Sequence, residues 1–237
     1  IARPRAGAIG TAVRLIAAWL LLPAAIHPAA AEWLDLGGGA TSVQVVTAEP
    51  DRIVVEARIG GCTAEPVTID GATFYRIALP GEPATDDAGL PALPRLRRSL
   101  AIPGDREMSV RVLDAQWVDL PDLPVAPGSG PQARSAPASG SAPTFGAAYA
   151  QAGPIPVAAA ALGEPYILRD VRGVVLDLNV FQAFPAQRTV RVYTRLRVEV
   201  AAAGPGTRNV LARAPGSRPV DPQFARLYRD HVLNYEP

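Results

Sequence analysis

The sequence predicts an all-β protein: an antiparallel β-sandwich, jelly-roll-like, with one long Pro/Ala/Gly/Ser-rich loop and a short C-terminal helix. Three observations carry this. Residues 188–201 alternate, with Val190, Val192, Thr194, Leu196, Val198 and Val200 on one face and Arg191, Tyr193, Arg195, Arg197 and Glu199 on the other. A period of two over that length places one face in a core and the other in water. Similar β-branched runs recur along the chain with turn residues between them and little helical periodicity, a pattern of sandwiches and barrels. The 237 residues are 49% apolar and 19% charged, enough for a core, while 25 Pro and 21 Gly supply breaks.

In chain order, residues 42–48 and 51–59 read as strands, followed by a Gly60-Gly61 turn. Residues 67–70 and 73–79 flank Gly71 as a hairpin. Residues 99–102 run into a Pro103-Gly104 turn, and 107–118 alternate. Residues 166–180 carry two short strand-like runs around Gly173, ahead of the long 188–201 strand. Residues 121–156 are mostly Pro, Ala, Gly and Ser with Arg134 as their one cation, too few apolar groups to offset ordering entropy, and read as a flexible loop. A second Pro/Gly-rich patch, 204–222, precedes a helical face of Phe224, Leu227, Tyr228 and His231 for which the nearby sequence offers no partner.

The N-terminus reads as a secretory signal peptide over residues 1–31. Arg3, Arg5 and Arg14 precede the apolar run 15–26, shorter than the roughly 20 residues a membrane span needs. Ala29-Ala30-Ala31 fits cleavage between Ala31 and Glu32. Removal takes three of the 23 basic residues against 22 acidic ones, turning the formal +1 slightly negative. That balance excludes an electrostatically driven nucleic-acid binder, and export predicts a periplasmic, cell-surface or extracellular site in a bacterium, with no membrane contact after processing. The chain contains no Lys, a composition typical of GC-rich bacterial genomes. The expected organisation is 1–31 signal, 32–202 β-domain and 203–237 linker and connector.

The chemistry-bearing residues are few. One Cys and two His exclude a disulfide framework and a Cys/His zinc site. Cys62 and His231 are the one conceivable dyad, but Cys62 follows a Gly-Gly turn with no activating motif, and burial as a small hydrophobe is the simpler expectation. Asp86 and Asp87 near Glu82 offer hard oxygens to calcium or form a solvated loop. Gly37-Gly38-Gly39 lacks the strand and Lys of a phosphate loop. The arginine face of 188–201 is an anion site or a solvated face. Trp33 and Trp117 are sugar-stacking or sheet-face residues. No catalytic residue, cofactor or metal is expected, which leaves a secreted β-sandwich adhesion or carbohydrate-binding module as one reading.

One set of residues points elsewhere. Gly89-Leu90-Pro91-Ala92-Leu93-Pro94 followed by Leu100-Ala101-Ile102-Pro103 resembles the G-x-P-x-L-P … L-x-I-P block of gingipain propeptides, the N-terminal prosegments of family C25 cysteine peptidases. The downstream order is also similar: a proline-rich loop, Arg172-Gly173 within strands, a long strand, and a closing Phe224, Leu227, Tyr228, Leu233, Asn234 and Tyr235 like the connector into a peptidase domain. The loop after Pro121 is longer than that pattern, and the peptidase module with its Cys and His is absent from the chain. The resemblance implies a non-catalytic prodomain, an intramolecular chaperone and latency-maintaining inhibitor of a C25-like cysteine peptidase in cis or in trans, removed by proteolysis. It also implies a residue that fills the enzyme's specificity pocket. For an Arg-specific partner Arg134 is the candidate, since a guanidinium pairs bidentately with a carboxylate; Arg95, Arg97 and Arg98 are rivals. The loop serves equally as a maturation cleavage site.

Overall fold

The computed structural model describes residues 30–37, 39–130, 143–212 and 222–235. The chain forms β1 (Glu32–Asp35), β2 (Ser42–Glu49), β3 (Arg52–Arg58), β4 (Gly61–Ile69), β5 (Ala72–Ala78), β6 (Leu96–Ala101) and β7 (Arg106–Leu120). There follow β8 (Ala160–Leu162), β9 (Tyr166–Leu168), β10 (Val171–Leu178), β11 (Phe181–Phe184), β12 (Thr189–Pro205) and one helix, α1 (Pro222–His231). Three antiparallel sheets result: β1-β4-β5, β6-β10-β8 with β9 also on β10, and β11-β12-β3-β2 with β7 also on β12. β12 organises the largest. β7 runs along one edge of it, while β11 and β3 share the other edge end to end. The hairpin around Gly71 forms as the sequence predicts. Gly60 lies instead where the chain leaves one sheet for another, since β4 pairs with β1 and β5.

A single core lies between the sheets, drawing Ile53, Val55 and Ala57 from β3, Cys62 and Ala64 from β4, Leu96 and Leu100 from β6, and Leu176 and Leu178 from β10. From β12 come Val190, Val192, Leu196, Val198 and Val200 of the predicted inner face, each fully buried, while Thr194, at a register shift, is only half-buried. The opposite face departs from the expectation of a solvated surface. Tyr193 and Glu199 are buried there, as is Glu56 on β3. A register shift between Tyr193 and Arg195 brings the tyrosine into the core cluster, where its hydroxyl donates to Gln182 Oε1 at 2.8 Å. Glu199 and Glu56 are covered by arginines from β3, β7 and β12, whose long stems shield sheet surface while the charged heads reach carboxylates. Val54 is 1% exposed yet stands apart from the main cluster, on the face these arginines line.

Three segments that composition marks as loose are fastened. Residues 123–130 and 143–156 flank the proline-rich excursion and carry main-chain hydrogen bonds to β5, to residues 89–92 and to β11. Strand β12 extends to Pro205, and residues 206–211 remain bonded to the β6–β7 turn through Gly206 N–H to Asp105 O and Leu211 N–H to Gly104 O. The terminal helix does have a partner: Tyr228 is fully buried and Val232 bridges to Ser99 of β6. His231, on the predicted apolar face, is exposed, and Val232 fills that role. In each case the missing apolar mass is supplied by distant strands, which no local window contains. Residues 1–29 of the expected signal peptide and residues 131–142 of the predicted loop, Arg134 among them, lie outside the described residues.

Candidate functional site

The motif residues gather at two places. The first is the base of the proline-rich loop. Residues 124–126 lie alongside β5, with Tyr75 N–H donating to Pro124 O and Ala126 N–H to Tyr75 O, both at 2.8 Å. The 89–92 turn then takes hold: Ala92 N–H donates to Ala126 O at 3.0 Å and Gly128 N–H to Leu90 O at 2.9 Å. From the far side of the excursion, Gly146 N–H donates to Gly89 O at 3.0 Å, while Gly89 N–H reaches Gly128 O at 3.4 Å. Gly89 therefore touches both ends. Its φ of +75° and a Cβ position 3.1 Å from Gly146 Cα make glycine the fitting residue. Phe145 packs on Phe74 and edge-on to Tyr149, each at 4.8 Å, and Tyr149 donates to Val125 O at 2.9 Å. Burial raises the Tyr149 phenol above its ordinary pKa. Leu93 is buried beneath the turn.

The second place is Arg172, 1% exposed. Its guanidinium meets main-chain carbonyls: Nε to Asn209 O at 2.8 Å, Nη1 to Pro103 O at 2.8 Å and Arg106 O at 2.6 Å, Nη2 to Arg208 O at 2.9 Å. A buried charge needs its donors satisfied, and the fork does this by tying β10 to the β6–β7 turn and to the segment leaving β12. Ile102 N–H also donates to Arg172 O at 2.9 Å. Gly173 follows because the Tyr166 ring lies where any Cβ would stand. Sequence reasoning picked out Pro103, Arg172 and Gly173 as a motif; nothing local announced a carbonyl cage. A crevice of about 610 Å³ opens beside it, lined by Pro103, Asp105, Asp170, Leu211 and Tyr235 among others.

The remaining candidates fall apart. Arg98 holds Glu82 with two nitrogens at 2.6 and 3.2 Å, and Arg97 reaches Asp177 at 2.8 Å, with Arg95 at 4.0 Å. Those contacts tie all three arginines to the body. They also divide the calcium candidates: Glu82 serves Arg98, Asp86 Oδ1 accepts from Ser129 N–H at 2.6 Å, and no group of acidic, His or Cys residues able to hold a metal occurs among the described residues. Cys62 sits in the core, where burial pushes its thiol up to about 11, while His231 is exposed on α1, so the dyad does not form. Trp33 and Trp117 are half exposed but belong to different sheets. Trp33 lies over Gly61, and Arg191 stacks 4.7 Å from the Trp117 ring.

The motif residues thus build a loop base and a main-chain clamp on a β-body whose cysteine is buried, and comparison with known proteins places that body among peptidase prodomains. The Propeptide_C25 family profile matches residues 36–213, and the chain belongs to that family. It is 32% identical over 151 residues to gingipain R1 of Porphyromonas gingivalis, covering 64% of this chain and 15% of that protein. Gingipain R2 of the same species is 31% identical over 150 residues, covering 63% of this chain and 20% of that protein. The chain thus spans a small part of the curated relatives it matches. Among solved structures it is similar to the complex of P. gingivalis RgpB pro- and mature domains, with a TM-score of 0.73 and 28% identity over 82% of this chain and 98% of that one. A structure described for the zymogenic latency of gingipain K shares the fold, with a TM-score of 0.64 at 19% identity.

Proposed function

We propose that this chain is the exported prodomain of a gingipain-like cysteine peptidase, assisting its folding and keeping it latent until proteolysis removes it. The supporting observation is the match of the prodomain family to residues 36–213, with a fold that covers almost the whole of a prodomain seen with its mature domain. The partner is a C25-type peptidase domain, in cis or in trans. A tether raises the local concentration of a joined partner to about millimolar, so modest contacts suffice before cleavage. Within the reading, Arg134 is the residue offered to the specificity pocket or to a maturation cut. Arg98, already held by Glu82, is a weaker candidate, as is Arg95. Export follows the signal-peptide reading of residues 1–31, with the cut between Ala31 and Glu32.

The test titrates residues 32–237 against the mature C25-type peptidase of the same organism on Arg- and Lys-directed substrates. Cleft-competitive inhibition is expected, with Arg134→Ala weaker by about tenfold or more against an Arg-specific enzyme, the loss of one charge-assisted bidentate contact. A folded domain that neither inhibits nor speeds recovery of active peptidase from denaturant overturns the proposal. Retained potency in Arg134→Ala removes that residue alone.

A further inference from the structure

The family profile ends at residue 213, yet the chain returns to the body at α1. A helix of ten residues is too short to persist alone in water, so docking orders it. Tyr228 is fully buried, with its hydroxyl 3.3 Å from Leu168 O at the end of β9. The Arg169 guanidinium lies 3.9 Å above the Phe224 ring, and Tyr235 packs 5.2 Å from Tyr228. After the helix, residues 232–234 cover the edge of β6 that β10 leaves open. Leu233 N–H donates to Ser99 O at 2.9 Å. The Asn234 side chain imitates a peptide group, accepting from Ala101 N–H at 2.8 Å and donating to Ala101 O at 2.9 Å. Such an edge otherwise presents free main-chain groups.

Residues 208–211 are held separately. Arg172 binds the carbonyls of Arg208 and Asn209, the Asn209 side chain donates to Pro165 O at 2.6 Å, and Leu211 is bonded to Gly104. Each flank of residues 213–221 is thus fixed to the body by its own contacts.

We propose that the β6 edge and the adjoining β9–β10 turn form a binding site for the segment 222–235, an aromatic helix followed by an Asn-ended strap, and that this clasp holds without the covalent connection through 213–221. A cut in that connection then leaves the C-terminal piece on the body, and cleavage and separation are distinct events. The clasp stands independently of whether the body inhibits a peptidase.

The test uses residues 32–237 with part of 213–221 replaced by the recognition sequence of a site-specific protease and a fluorophore at the C-terminus. After cutting, the labelled piece is expected to keep the slow tumbling of the body at micromolar concentration. Tyr228→Ala is expected to weaken retention by a hundredfold or more, as removal of a buried aromatic does. Asn234→Ala, losing two hydrogen bonds, is expected to weaken it by about tenfold. Amide exchange at Ala101 and Leu233 reads the same contact and should stay protected after the cut. Immediate release of a fast-tumbling peptide from a folded body overturns the clasp. So does loss of the body's own cooperative unfolding on cutting, which would make 222–235 part of the fold rather than its ligand.

Discussion

Two sets of arginines hold this molecule together by different physics. Arg172 is buried among carbonyl oxygens, and the contacts described for its guanidinium all run to main chain. On the outer face of the large sheet, Arg52 and Arg111 flank Glu199 at 2.6 and 2.7 Å, and Arg58 and Arg195 flank Glu56 at 2.8 and 2.9 Å. The first site joins segments distant in sequence through main-chain acceptors. The second joins neighbouring strands through groups that titrate. Position in the fold therefore decides whether an arginine acts as a fixed clamp or as one half of an acid-sensitive pair.

The largest expected effect breaks the clamp. Arg172→Met keeps the bulk and removes the donor from four main-chain carbonyls in part-buried hydrogen bonds, each worth about 1–3 kcal/mol where left unsatisfied. A loss of about 3–5 kcal/mol in urea unfolding is expected, given partial access of water. Arg172→Lys should recover little, since one ammonium cannot span the fork. A loss below about 1 kcal/mol in Arg172→Met would show that the carbonyls find other partners.

Acid should separate the two sets. Burial pushes Glu56 up, but hydrogen bonds from Arg195 and Arg58 outweigh it and hold the carboxyl below its ordinary value. Hydrogen bonds from Arg52 and Arg111 lower Glu199, against a smaller effect of burial. A depressed folded pKa means stability that is present above the unfolded value of roughly 4.3 and lost as pH falls through the folded value. Stability should thus fall steeply below about pH 4. In a Glu56→Gln, Glu199→Gln double variant that fall should flatten, whereas in Arg172→Met it should keep its shape at a lower level. Denaturant midpoints from pH 2 to 7 decide this; parallel curves for all three proteins would remove the two glutamates as its source.

The smallest effect lies at the rim. Arg191 holds Asp119 at 2.8 and 2.9 Å in an exposed pair, and Arg191→Ala should cost under about 1 kcal/mol. Because the same guanidinium covers the Trp117 ring, tryptophan fluorescence should shift even where stability hardly changes.

Much of the body was legible in order. Strands β2, β3, β5, β7 and β12 announce themselves by β-branching and period two, and Gly71 marks its hairpin. β1 and β11, four residues each, carry too short a pattern to stand out and exist because β4 and β12 offer them edges. The proline-rich flanks misled for the same reason. Phe145 and Tyr149 find their partners at Phe74 and Val125, which no window around residue 145 contains. Of the motif residues, Gly89 and Arg172-Gly173 were visible as a pattern before any role could be given to them.

By itself, then, the sequence determined the β class, the inner face of β12 and the propeptide-like motif, because period two, turn residues and short motifs are local quantities. Tertiary structure alone decided that Gly89 joins both sides of a loop, that Arg172 clamps the exit of β12, that two glutamates lie under arginines, and that α1 comes back to β6. Each of those depends on groups far apart in the chain being brought within about 3 Å, where burial and hydrogen-bond geometry rather than residue type fix what a side chain does.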